Sequence, residues 1–221
     1  MPKIQFMTHL RWRVAQRFEN WWWQNFTRSK EPQQYRQSKI QYWRDFLGAL
    51  QINPDELAEP MIDIGCGPAG IFTLFQDGNI TALDPLLDAY QNKLAIFDRS
   101  LYPQVHFIAQ PFEDLPLERP YPTVFCLNAI NHFRDLESSF KKLSVLTEPG
   151  GTLVFSIDCH NHRLLKPLYR RLQFDVLHPH QYDLAEYCAM LEAQGFTVLR
   201  THRFIKRFTF DYIGLVARKN K

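Results

Sequence analysis

Four cysteines in 221 residues, Cys66, Cys126, Cys159 and Cys188, contain no CxxC pair. A disulfide framework and a thiolate zinc site are therefore not expected, and a reducing cytoplasm fits best. No stretch of about 18 uninterrupted apolar residues exists, so no helix should span a membrane. Arg11, Arg13 and Arg17 interrupt the N-terminal apolar run that a signal peptide needs. There is no low-complexity segment and no repeat at a fixed period, which excludes solenoids and propellers. A large excess of one charge sign is missing too. The net charge is only +3, too small to favour a nucleic-acid partner. What remains is ordinary for a soluble globular chain, 45% apolar and 22% charged. The length suits one α/β domain with some additional helix.

The small net charge is unevenly placed. Residues 1–44 carry nine Lys/Arg against two Glu, and the remainder 17 basic against 21 acidic residues. A basic, tryptophan-rich segment thus precedes a mildly acidic domain. Over residues 8–26, Leu10, Val14, Phe18, Trp21, Trp22 and Phe26 recur at helical spacing. Tyr35, Ile40, Trp43, Leu47 and Leu50 do the same over 34–50, with Lys30–Pro32 between. Residues 1–54 are expected to form a helical cap, leaving 55–221 as the main domain. Trp, Tyr and Phe of the cap would shape an apolar pocket, with Tyr35, Arg36, Lys39 and Tyr42 in reach of a ligand. An interfacial helix on anionic membrane is a second reading of the same segment. Nucleic-acid binding through cations and stacked aromatics is a third, which the charge disfavours.

From Pro60 the pattern changes to strands alternating with helices. Strands are expected at 60–65, 79–84, 105–109, 123–128, 151–158, 196–202 and 208–218. Helices are expected at 68–76, 86–99, 135–147 and 183–194. Such alternation argues for a parallel sheet covered on both faces. About five residues separate the last two strands, too few for a parallel crossover, so they should pair as an antiparallel hairpin. The fold class is α/β, Rossmann-like, with seven strands and an antiparallel last strand.

Between the first strand and its helix lies Asp63-Ile-Gly-Cys-Gly-Pro-Ala-Gly70. Gly65, Gly67 and Gly70 make GxGxxG, a turn that lets a ligand approach the backbone closely. Asp84 lies 19 residues beyond Gly65, at the end of the next strand, where an acid accepts hydrogen bonds from ribose hydroxyls. A dinucleotide-binding oxidoreductase uses the same turn for pyrophosphate at a helix N-terminus. Asp63 speaks against that, because a carboxylate before the turn suits a cationic ligand and repels a doubly charged anion. Pro68 also removes one backbone donor.

The run from Met61 to Asp84 resembles motifs I and II of class I S-adenosylmethionine (SAM)-dependent methyltransferases. Glu148-Pro-Gly-Gly151 resembles the family's turn before strand five. The likeness covers about residues 55–218 and is nearest to the broad ubiquinone- and menaquinone-biosynthesis group. It implies SAM as cofactor and methyl transfer to a small organic acceptor. It implies that Asp63 and the turn Gly65, Cys66 and Gly67 face the methionine part. Asp84 would hold the ribose, with Pro85 and Leu86 beside it. Pro111 falls where the family often has an adenine-binding Asp, so the Phe112 amide, Glu113 or Asp114 would substitute. Asn128, Ala129 and Ile130 would line the junction of cofactor and acceptor. A non-catalytic SAM-fold module is the alternative within the same fold.

Methyl transfer needs no protein nucleophile, since alignment and exclusion of water do most of the work. A general base helps where the acceptor is a hydroxyl or an acidic carbon. His132, just past strand four at the ligand-binding edge, is the candidate, against a packing role at a helix start. Residues 158–182 fall where this fold inserts substrate-recognition elements. They include Asp158, His160, His162, His178 and His180. Two HxH pairs without strand or helix register specify a metal site too loosely. Substrate contact by His160, His178 and His180 is the preferred reading.

Overall fold

The computed structural model describes residues 9–75, 77–161 and 182–221, with side chains from residue 11. The order of elements is α1 (His9–Thr27), α2 (Pro32–Ala49), β1 (Met61–Ile64), β2 (Ile80–Leu83), α3 (Leu87–Lys93), β3 (Val105–Ile108), β4 (Tyr121–Leu127), α4 (Leu136–Leu146), β5 (Thr147–His160), α5 (Leu184–Ala193), β6 (Phe196–Lys206) and β7 (Phe210–Lys219). The seven strands form one sheet in the order β3-β2-β1-β4-β5-β7-β6. β1 to β5 run parallel, and β7 enters antiparallel between β5 and β6. The expected α/β sheet with its terminal hairpin is therefore what forms.

Successive residues of a strand face opposite sides, and the sheet has a core on each. Ile62, Ile64, Val124, Cys126, Leu153, Phe155 and Leu215 meet Phe140 and Leu143 of α4 and Tyr187 and Leu191 of α5. On the other side Met61, Phe125, Val154 and Val216 meet Trp43, Phe46 and Leu47 of α2 and Tyr90 of α3. Thus α2 forms part of a sheet-covering layer. Glu31 caps its first turn by accepting from the Gln33 and Gln34 amides. Gly214 leaves room beneath it, since a Cβ there would lie 2.6 Å from Phe204 and 3.2 Å from Phe46.

Three local expectations change. In place of the helix expected at 68–76, the described residues make two 3₁₀ turns, Gly67–Ala69 and Ile71–Leu74. Gly70, extended at ψ −178°, breaks the ladder between them. α3 stops at Lys93 instead of Arg99, because the chain turns to bury Leu94, Ile96 and Phe97. The turn Glu148–Gly151 lies within β5, whose pairing with β4 steps from Thr147↔Tyr121 to Thr152↔Thr123. The intervening residues bulge from the ladder.

Candidate functional site

Strand order reverses between β1 and β4, and in open α/β sheets that switch point opens a crevice at the C-terminal strand ends. Two adjoining cavities fill it. The narrower is lined by Asp84, Pro85, Pro111, Phe112, Glu113 and Ala129. The larger, about 520 Å³, is lined by the turn Cys66–Ala69, Lys39, Tyr42, Trp43, Asp158, Ile205, Arg207 and Tyr212. Gly65, Asn128, His132 and Glu19 line both.

The turn's geometry explains its residues. Gly65 has φ +67°, and a Cβ there would collide with Cβ of Ala129. β1 and β4 therefore close on each other only with glycine at that point. The Gly65 and Cys66 amides both donate to the Leu83 carbonyl, at 2.7 and 3.1 Å, which ties the turn to the end of β2. Asp84 completes the tie: Oδ2 accepts from the Gly67 amide at 3.0 Å and Oδ1 from Leu86 at 2.8 Å. A carboxylate offers about four acceptor positions, so two remain for ligand hydroxyls. Asn128 sits at φ +53°, a conformation Asn tolerates better than most residues and one that recurs at functional sites.

Asp63 does not line either cavity. It is 1% exposed and lies beneath the turn, where Oδ2 accepts from the Phe72 amide at 3.3 Å. A Cβ on Gly70 would collide with that oxygen and with the Cys66 carbonyl. The third glycine is thus required by close approach. Burial, with the Asp84 charge adding to it, raises Asp63 from 3.8 to about 7. The cation-attracting role expected of Asp63 is accordingly corrected to one of shaping the turn.

The acid that lines both cavities belongs to α1. Glu19 accepts a hydrogen bond from Trp23, and burial and then Asp84 push it from 4.5 to about 8. Glu19 is half-buried and lines both cavities. Trp12 and Gln16 of α1 line the narrower cavity, and Trp22 and Trp23 the larger. The spacing 12, 16, 19, 23 marks one helical face. Sequence reading followed the apolar residues of α1 and so missed it.

Other expected residues divide. Cys66 lines the larger cavity, and burial raises its thiol well above its ordinary value. Glu113 lines the narrower one, but Oε1 already accepts from the Arg134 amide at 2.6 Å. Arg134 also pairs with Asp114 at 2.6 Å. Phe112 packs on Phe133, with ring centroids 5.3 Å apart. Tyr42 lines the larger cavity, and its hydroxyl donates to Tyr212, which shares a hydrogen bond with Ser156. Tyr35 lines neither of these two cavities; it is buried edge-on against Phe26. His160 also lines neither of the two, being 3% exposed at the end of β5 beside the Phe210 ring. Both substrate assignments are corrected, since packing turns these side chains away from the crevice. His162, His178 and His180 lie outside the described residues. Among the described residues no three His, Cys, Asp or Glu come together as a metal would need.

The residues fit SAM. The turn admits backbone approach, acids face the crevice where a cationic ligand would sit, and Lys39 on α2 offers a cation for a carboxylate. That ammonium lies 4.8 Å from the Tyr42 ring centroid, and burial lowers its proton affinity. The 3₁₀ turns supply no long helix whose dipole would favour a pyrophosphate.

Comparison with known proteins agrees. A family model described as a methyltransferase domain matches residues 32–201. A ubiquinone biosynthesis O-methyltransferase of Rickettsia bellii is 28% identical over 98 residues, 43% of this chain and 40% of the relative. The match thus spans less than half the length of that relative. Magnesium protoporphyrin IX methyltransferase from Synechocystis, solved with bound S-adenosylhomocysteine (SAH), superposes with TM-score 0.56 at 21% identity. That superposition covers 82% of this chain and 83% of the other. The N-methyltransferase NodS of Bradyrhizobium japonicum, also with SAH, gives TM-score 0.60 at 13% identity, over 82% and 87%. With the glycine turn, the switch-point crevice and the antiparallel β7 in place, this chain belongs to the class I SAM-dependent methyltransferase family.

Proposed function

We propose that this protein transfers the methyl group of SAM to a hydroxyl of a small organic acceptor bound in the larger cavity. The observation that carries this is the pair of adjoining cavities joined at Gly65, Asn128 and His132. The cofactor, when bound, supplies an activated methyl group on a sulfonium. Pro111–Glu113 face the adenine and Asp84 takes the ribose hydroxyls. The backbone of Gly65, Cys66 and Gly67 carries the methionine part, and Lys39 pairs with its carboxylate. Trp22, Tyr42, Ile205 and Tyr212 form walls suited to a planar or apolar acceptor. Holding the acceptor in line and dry supplies roughly 7–11 kcal/mol of barrier lowering. His132 accepts the hydroxyl proton, for about 10²–10⁴-fold more. The Rickettsia relative, an O-methyltransferase by name, supports oxygen as the accepting atom.

The test measures SAH formation with SAM and a panel of hydroxylated, aminated and carbon acceptors. Turnover confined to hydroxyl acceptors, lost in His132→Ala with SAM affinity within about threefold, is the expected result. Turnover unchanged in His132→Ala removes the base assignment.

The outward face of α1 supports a second element, contact with anionic membrane. Val14, Phe18 and Trp21 are exposed there, Trp21 by 61%, with exposed Arg13, Arg17 and Arg28 around them. Aromatic residues flanked by arginines suit a lipid headgroup layer. No helix among the described residues is long and apolar enough to cross a membrane. Co-sedimentation with vesicles containing phosphatidylserine, lost in Trp21→Glu, is expected; wild-type protein remaining in the supernatant counts against it.

A further inference from the structure

Helix α1 runs along the whole crevice. Trp12 and Gln16 face the narrower cavity, Trp22 and Trp23 the larger, and Glu19 stands where the two meet. The helix is pinned at both ends. The Arg134 guanidinium lies over the Trp12 ring at 5.2 Å, and Trp23 packs edge-on against Tyr90 at 6.3 Å. A ligand with its nucleoside in one cavity and its amino-acid part in the other has its sulfur at their junction. SAM and SAH differ at that atom by one methyl group and one positive charge.

We propose that Glu19 reads this charge, so that the protein favours the methyl donor over the spent product. Titratable groups from several elements surround Glu19. Asp84 approaches from the end of β2 and Tyr90 from α3, and Cys66 of the turn lines the same cavity. His132 shares the cavity wall, and Lys39 lies farther along the larger cavity on α2. Burial beside Asp84 keeps the Glu19 carboxyl protonated at neutral pH while no cation faces it. A sulfonium there favours the carboxylate, and Glu19 gives its proton to solvent. Facing the neutral sulfur that remains after transfer, Glu19 takes a proton back. Unit charges in contact at a partly enclosed site attract strongly enough to outweigh the roughly tenfold cost of ionising a group with pKa about 8 at pH 7.

The inference rests on the cofactor placement proposed above, and the test separates the two. Titration calorimetry with SAM and with SAH is run on the wild type and on Glu19→Gln, in buffers of differing ionisation enthalpy. The expected result is a shift of about tenfold in the SAM-to-SAH affinity ratio toward SAH in the variant. The SAH Kd should move less than about threefold, which also reports a folded protein. The wild type should release more protons on binding SAM than SAH, and the variant should lose that difference. Both affinities weakening by one factor would make Glu19 a structural part of the lid and overturn its charge-reading role. An unmoved ratio with tight binding of both ligands would overturn it as well. Failure of the wild type to bind either ligand would overturn the cofactor placement and this inference with it.

Discussion

Asp63→Asn should make the cofactor-free protein less sensitive to pH. Asp63 is almost fully buried, and its pKa rises from 3.8 to about 7, chiefly through desolvation. A carboxyl whose folded pKa exceeds its unfolded value contributes stability that is complete below the unfolded value. That contribution is lost as pH rises through the folded one. At 1.36 kcal/mol per tenfold change in proton affinity, Asp63 removes about 4 kcal/mol between pH 4 and pH 7. Asn cannot titrate, yet its side-chain oxygen can still accept from the Phe72 amide. Its NH₂ group needs a partner and costs about 1–3 kcal/mol without one. The variant should therefore gain on wild type steadily as pH rises from 5, and be more stable by about 1–3 kcal/mol at pH 8. Asp84, raised to about 6, and Glu19, raised to about 8, slope the same way in both proteins. The difference between the two stability curves reports Asp63 together with its coupling to Asp84. Urea unfolding without cofactor, every half unit from pH 5 to pH 8.5, measures it. Parallel curves would refute the reasoning, since they would mean that Asp63 ionises alike in the folded and unfolded chains.

Three further outcomes follow from the packing. Gly65→Ala forces a left-handed residue to carry a Cβ that collides with Ala129; it should cost at least about 1–2 kcal/mol of stability and abolish SAM binding by calorimetry. Phe46→Ala removes a ring that is 1% exposed and stacked on Phe204 at 4.5 Å, which should cost about 3–5 kcal/mol in denaturant unfolding. Lys39→Met should weaken SAM binding about tenfold and leave decarboxylated SAM within twofold, so an equal loss for both ligands would argue against a carboxylate contact.

The strands could be read because they are short apolar runs bounded by turns, as in β1 and β2, which are buried at every position. The hairpin could be read because about five residues between the last two strands, three in the structure, are too few for a parallel crossover. Gly65, Gly67 and Asp84 were legible as a set, since a turn of that geometry requires glycine and an acid one strand away. Their neighbour Asp63 was misread because sequence shows that a carboxylate is present, but not which way it points. Only the fold reveals that Asp63 turns beneath the loop toward the Phe72 amide. His160 was misread for a related reason. Its register on β5 depended on how far that strand continued, and the strand runs to His160 itself.

The N-terminal segment holds the deeper difficulty. Apolar residues at helical spacing normally mark the face that turns inward, and in α2 they do. In α1 the spacing Val14, Phe18, Trp21 marks the exposed side, while Trp12, Gln16, Glu19 and Trp23 turn to the crevice. Each face of α1 then has its own reason to be what it is. The inner face mixes aromatic, amide and carboxyl groups, which suits the polar, cationic ligand proposed for the crevice. An outer face this apolar would be wasteful on a helix in contact with water alone. The glycine turn is fixed by the backbone and serves any cofactor of this shape. Discrimination by charge must come from a side chain brought in from outside the sheet, and Glu19 on α1 is the acid that arrives at the cavity junction.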